Sequence, residues 1–132
     1  MIYQAKQVSV SIKRSVSDVY EFASKPENLP KWANGLSGSS IVKSEGEWIA
    51  DSPMGKVRVR FVEKNKFGVL DHDVTLPSGQ VSHNPLRIVK NGNGSEVIFT
   101  LYRLPDTSET SFEKDTAMVQ ADLQKLKLIL EN

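Results

Sequence analysis

The chain has 132 residues, 17 of them basic and 16 acidic, a formal charge of +1, and no cysteine. That length predicts one domain, residues 1–132, able to bury a core without staples. The lack of thiols excludes disulfides, thiolate metal ligands and a cysteine nucleophile. No basic stripe marks a nucleic-acid footprint, and no apolar run approaches a membrane span. The opening "MIYQAKQVSV" lacks the basic-then-apolar pattern of a secretory signal, so a cytoplasmic location is expected, and the "NGS" sequon at Asn93 then marks only a turn.

"VSVSI" (Val8 to Ile12) alternates apolar and polar residues and predicts a half-buried strand. In "SVSDVYEFASK" Ser15 can cap a helix, with Asp18 three residues on, and Val19, Phe22 and Ala23 share one face. Pro26 and Pro30 keep that helix short, and "PENLPKWANG" predicts a second short helix or turn carrying Trp32. From Leu36 to Leu104 the period shortens to two. "SSIVKS", "EWIAD", "KVRVRFVEK", "KFGVLDHDVTL", "QVSHNPLRIVK" and "SEVIFTLYRL" are strand-like runs, separated by "SEG", "SPMG", "KNK", "PSG" and "NGNG". Connections this short predict an antiparallel meander. In "KVRVRF", Val57, Val59 and Phe61 face one way and Arg58 and Arg60 the other. After Pro105, Ser108 or Thr110 can cap a long helix whose Phe112, Val119, Leu123, Leu126 and Leu130 form one apolar stripe. A long amphipathic helix and a long meander must bury their apolar faces on each other, which predicts an α+β domain.

The order strand, two short helices, six strands, long helix resembles the START-related SRPBCC superfamily. The residues that carry the likeness are "VSVSIKRSVSDVYEFASKPENLPKW", then "FGVLDHDV", "NPLRIV", "NGNGSEVIFTLYR" and "DLQKLKLILE", which resemble a bacterial branch of small polyketide cyclase/dehydrase-like members. The resemblance implies a helix-grip fold: a curved seven-stranded antiparallel sheet wrapped on the C-terminal helix, with two short helices between the first two strands. It implies a cavity between sheet and helix for an apolar or aromatic ligand, lipid-, sterol- or polyketide-like. Walls for such a cavity would come from Trp32, Trp48, Val59, Phe61, Leu70, His72, Val74, His83, Phe99, Phe112, Val119 and Leu123. No cofactor is implied.

Both histidines lie in "FGVLDHDVTLPSGQVSHNP" (Phe67 to Pro85), with Asp71 and Asp73 flanking the first. Strand alternation puts Leu70, His72, Val74 and Leu76 on the core face and Asp71 and Asp73 towards solvent. A two- or four-residue loop at "PSG" would pair Val74 with His83 and turn Val81 and His83 inward, diagonal to His72; a three-residue loop would turn His83 outward. The inward register is expected, because it buries Val81. Aspartates facing away from His72 argue against a metal site, which needs three or four convergent ligands. His72 is either a hydrogen-bonded polar residue of the cavity wall, the default, or the group that moves a proton in cyclase- or dehydratase-like chemistry.

Trp32 and Trp48 are candidates for stacking on a flat ligand, with core packing as the plainer role. Arg87 could anchor an anion, with pairing to a surface carboxylate as the plainer role. No nucleophile elbow or phosphate-cradling loop is visible. Three functions follow as expectations: a binding module for a small apolar or aromatic ligand, an enzyme using His72 as proton shuttle, and a protein-interaction module. Either a monomer or a homodimer is compatible with the sequence.

Overall fold

A computed structural model describes residues 1–36, 40–53 and 55–132. Part of the "GLSGSS" loop and Met54 of the "SPMG" turn lie outside them. β1 (Ala5–Ile12) is the alternating strand, with Val8, Val10 and Ile12 buried. α1 (Val16–Ala23) starts where Ser15 Oγ accepts the Asp18 N–H at 3.1 Å, which satisfies one free amide of the first turn. It buries Val19, Tyr20 and Ala23. Pro26 opens a 3-10 turn (Pro26–Asn28) that leads into the single-turn helix α2 (Leu29–Trp32), with Leu29 and Trp32 buried.

The strands β2 (Ile41–Ser44), β3 (Glu47–Ser52), β4 (Gly55–Phe61), β5 (His72–Thr75) and β6 (Val81–Asn84) pair antiparallel in that order. β7 (Leu86–Asn91), β8 (Gly94–Tyr102) and β1 form a second antiparallel set, with β8 in the middle. The run "QVSHNPLRIVK" is therefore two strands rather than one. Pro85 has no N–H to offer a ladder, and its carbonyl instead accepts the Thr100 N–H at 2.9 Å. Across the break the sets stay joined: Leu70 N–H donates to the Leu86 carbonyl at 2.8 Å and Ile88 N–H to the Gly68 carbonyl at 2.9 Å. The result is a curved sheet of seven positions, β2-β3-β4-β5-β6/β7-β8-β1, built from eight strands.

α3 (Glu109–Glu131) is capped by Ser108, whose Oγ accepts the Ser111 N–H at 3.1 Å. Its 23 residues reach about 35 Å. Phe112, Leu123, Leu126 and Leu130 are buried and Val119 is partly buried. The helix packs chiefly on β1, with contacts to β8 and α2. This is the helix-grip arrangement, and its core joins α1, α2 and the inner faces of β1, β7 and β8.

Candidate functional site

Directly opposed residues of an antiparallel pair share a face, so the register fixes the inner wall. β4 presents Val57, Val59 and Phe61. Trp48 and Ala50 of β3 oppose Val59 and Val57, and Val74 and His72 of β5 oppose Val59 and Phe61. β6 adds Ser82 opposite Val74 and Asn84 opposite His72. On the far side Phe99 lies between Val8 and Leu86. Burial splits this wall. Val59, Leu70, Leu86 and Val97 are closed off, while Trp48, Phe61, His72, Val74, Phe99 and, from α3, Val119 stay partly exposed. The division follows from where α3 lies: on β1 and β8, it leaves the inner face of β3 to β6 less covered.

His72 is the polar centre of the open part. Its ring stands 5.0 Å from that of Phe61 and 5.9 Å from that of Phe99, the latter nearly edge-on at 70°. Nδ1 is 2.9 Å from the Leu70 carbonyl oxygen. A carbonyl only accepts, so Nδ1 carries the proton and Nε2 keeps its lone pair. Burial pushes the His72 pKa below the usual imidazole value, outweighing the bond to Leu70 and the nearby Asp71 and Asp73 charges, which favour the cation. The ring is a neutral acceptor at neutral pH. Ser82 Oγ and Asn84 Oδ1, 3.2 Å apart, lie on the same wall.

The structure corrects the register at the hairpin. Leu76 N–H bonds to the Gln80 carbonyl and Gly79 N–H to the Leu76 carbonyl, which leaves a three-residue loop, Pro77-Ser78-Gly79. Gly79 has φ +91°, the left-handed conformation that closes such loops and that other residues resist. His83 consequently opposes Asp73 on the outer face, and its Nδ1 lies 2.6 Å from Asp73 Oδ1. Val81 is 50% exposed rather than buried. Ser82 and Asn84 take the inward positions expected of Val81 and His83; only the loop length, set by that glycine, could have revealed them.

A second correction concerns Asp71. It lies opposite His72 in facing, as alternation predicts, yet it is only 8% exposed. Its Oδ1 accepts the Leu86 N–H and Arg87 Nε, each at 3.0 Å, and its Oδ2 accepts Arg87 Nη2 at 2.8 Å. The carboxylate thus takes the amide that the break at Pro85 leaves without a strand partner, and the guanidinium fork covers it. Arg87 holds the Asp71 pKa below the ordinary carboxylate range, with the Leu86 amide helping and burial opposing. Arg87 does not enter the inner wall. Asp73 points outward as expected, paired with His83.

Of the remaining candidates, Trp32, Val59, Leu70, Phe112 and Leu123 are buried in the core. The Trp32 indole N–H is buried with no hydrogen-bond partner among the described residues. A recess of about 250 Å³ opens where β4 and β5 part, and both His72 and the outer Asp73–His83 pair reach it. Among the described residues no three histidine, aspartate or glutamate side chains are placed to hold a metal ion.

A family model described as "Polyketide cyclase / dehydrase and lipid transport" matches residues 5–131. No curated protein sequence matches the chain. Among solved structures it is similar to the Aha1 dimer from Colwellia psychrerythraea (15% identity, TM-score 0.77, covering 99% of this chain and 97% of that one). It is also similar to a START superfamily protein from Mycobacterium smegmatis (13%, 0.72, 96% and 97%) and to the protein XoxI from Bacillus cereus (14%, 0.75, 96% and 94%). At such identities the likeness speaks to the fold alone. With a family match along almost its whole length and the helix-grip fold to go with it, the chain belongs to the polyketide cyclase/dehydrase and lipid transport family.

Proposed function

We propose that the chain binds a small apolar or aromatic molecule against the inner wall of β3 to β6 and β8, beneath α3. Family membership implies a cavity for a hydrophobic ligand, and one observation supports this location above others. Trp48, Phe61, Val74, Phe99 and Val119 face the interior and are still not fully closed off, while their neighbours Val59 and Leu70 are. Three large rings and two aliphatic groups offer contact area, and His72 Nε2, Ser82 and Asn84 offer a few fixed polar points, the usual make-up of a small-molecule site. Native mass spectrometry of freshly purified protein tests the reading directly. A co-purified small molecule that organic extraction releases is the expected result; a bare chain with no thermal shift towards lipid, aromatic and polyketide libraries would count against it.

The tautomer of His72 supports a second reading, a cyclase- or dehydratase-like enzyme on the same wall. The Leu70 carbonyl holds the proton on Nδ1 and leaves Nε2 free to take one from a carbon acid and return it. Burial keeps the ring neutral and therefore competent as a base. The His72→Ala variant separates the two readings once a ligand is known: turnover falls by ~100-fold for an enzyme, whereas only affinity changes for a carrier.

A further inference from the structure

The hydrogen bonds around His72 restrict the ligand chemistry that the inner wall accepts. With its proton on Nδ1, held by the Leu70 carbonyl, the ring presents a lone pair and no hydrogen at Nε2. The buried side-chain polar atoms left without a partner among the described residues are Trp32 Nε1 and Ser95 Oγ. Nε2 is not one of them, and it has no partner among those residues either, so it opens onto free space. The ring borders the recess of about 250 Å³. Phe61 and Phe99, at 5.0 and 5.9 Å, flank it with carbon only.

Asn84 directly opposes His72, which puts their Cβ atoms about 4.5–5.5 Å apart on one face. Its Oδ1 takes the Ser82 hydroxyl at 3.2 Å, so Nδ2 is the end of that amide with hydrogens to give. An acceptor and a donor therefore stand side by side among aromatic rings. A hydroxyl satisfies both: its hydrogen goes to Nε2 and its oxygen accepts from Nδ2. A carboxylate does not, because it brings no hydrogen and sets its lone pairs against that of Nε2. The charges nearby disfavour an anion as well. Glu63, Asp71 and Asp73 line the recess against Arg60 and His83. Arg58 and Arg60 alternate to the exposed face of β4, and the Arg87 guanidinium is held by Asp71. Lys6, on the inner face of β1, opposes Leu101 and stands over the Phe112 ring at 5.6 Å, away from His72.

We propose that the ligand of this wall is a neutral aryl alcohol, a phenol or naphthol whose hydroxyl donates to His72 Nε2 and accepts from Asn84 Nδ2, and that this pair selects it over the matching carboxylate. The inference rests on the binding of a small aromatic molecule here and adds the group that orients it. NMR titration of the full chain at pH 7 with 2-naphthol, 2-methylnaphthalene and 2-naphthoate tests it, since the three share one ring system and differ in one substituent. Naphthol should bind about tenfold or more tightly than either of the others. The His72 Nε2 nitrogen resonance should move upfield with naphthol, as an imidazole nitrogen does on accepting a hydrogen bond, and stay in place with methylnaphthalene; a packing role for the ring would not produce that difference. His72→Phe should bring naphthol down to the affinity of methylnaphthalene, and Asn84→Ala, at a partly exposed position, should narrow the same gap with the fold intact. Equal affinities for naphthol and methylnaphthalene, or tighter binding of naphthoate, would overturn the inference while the apolar site stands. Saturable binding of none of the three would overturn both.

Discussion

Replacing Asp71 with alanine isolates the junction that joins the two strand sets. The substitution removes three hydrogen bonds, one from the Leu86 amide and two from the Arg87 guanidinium. Their consequences differ. Leu86 is 1% exposed, so its amide is left in a dry site without an acceptor, at about 1–3 kcal/mol. The Arg87 side chain is 54% exposed and can return to water, so its share is screened to about 0–1 kcal/mol. Together the loss comes to about 1–4 kcal/mol, a fall of roughly 5–15 °C in Tm for a chain of this length. Asp71→Asn keeps an oxygen for the Leu86 N–H but loses the charge and the acceptor for Arg87 Nη2, which can turn to water, so about 1 kcal/mol is expected. Urea unfolding followed by the fluorescence of Trp32 and Trp48 reads both. An Asp71→Ala loss below ~0.5 kcal/mol, or an Asp71→Asn loss as large as that of alanine, would refute the reasoning. There is a pH signature as well. Asp71 has its folded pKa lowered, chiefly by Arg87. Its contribution is therefore complete above the ordinary carboxylate pKa, about 3.9, and is lost as pH falls through the lower folded value; Asp71→Asn should remove that part of the acid sensitivity.

His72 gives the opposite case. Burial lowers its folded pKa, so below about 6.5 the unfolded chain binds a proton that the folded one does not. Stability should decline as pH falls from about 6.5 towards the folded pKa, and His72→Phe should flatten that slope in urea titrations at pH 7, 6 and 5. His83 and Asp73 form an exposed pair, at 55% and 46%, so His83→Ala should change stability by less than ~1 kcal/mol and leave ligand affinity untouched. A large loss of affinity would put His83 back on the inner wall.

Much of the architecture can be read directly from the residues. The caps at Ser15 and Ser108, the alternation of "KVRVRF" and the apolar stripe of the last helix each follow from local chemistry, and each is found as expected. His72 faces inward because it shares the parity of Leu70 and Val74 within one strand run. What local pattern does not supply is the relation between strands. One glycine at positive φ turned a loop of two or four residues into one of three, and that single step exchanged Val81 and His83 for Ser82 and Asn84 on the wall. Asp71 departs from the solvent-facing expectation for a related reason. Alternation gives a side chain's facing but not its burial, and the partner that buries it, the amide freed by Pro85, is 15 residues away in sequence.

The claim that ligand binds against the open inner wall is tested most directly by intermolecular NOEs to a neutral apolar probe, N-phenyl-1-naphthylamine, added to the intact chain. The account predicts contacts from the probe to the ring protons of Phe61, Phe99 and Trp48 and to the His72 imidazole. Contacts confined to the exposed Phe67 ring, or none at these four residues, would contradict it.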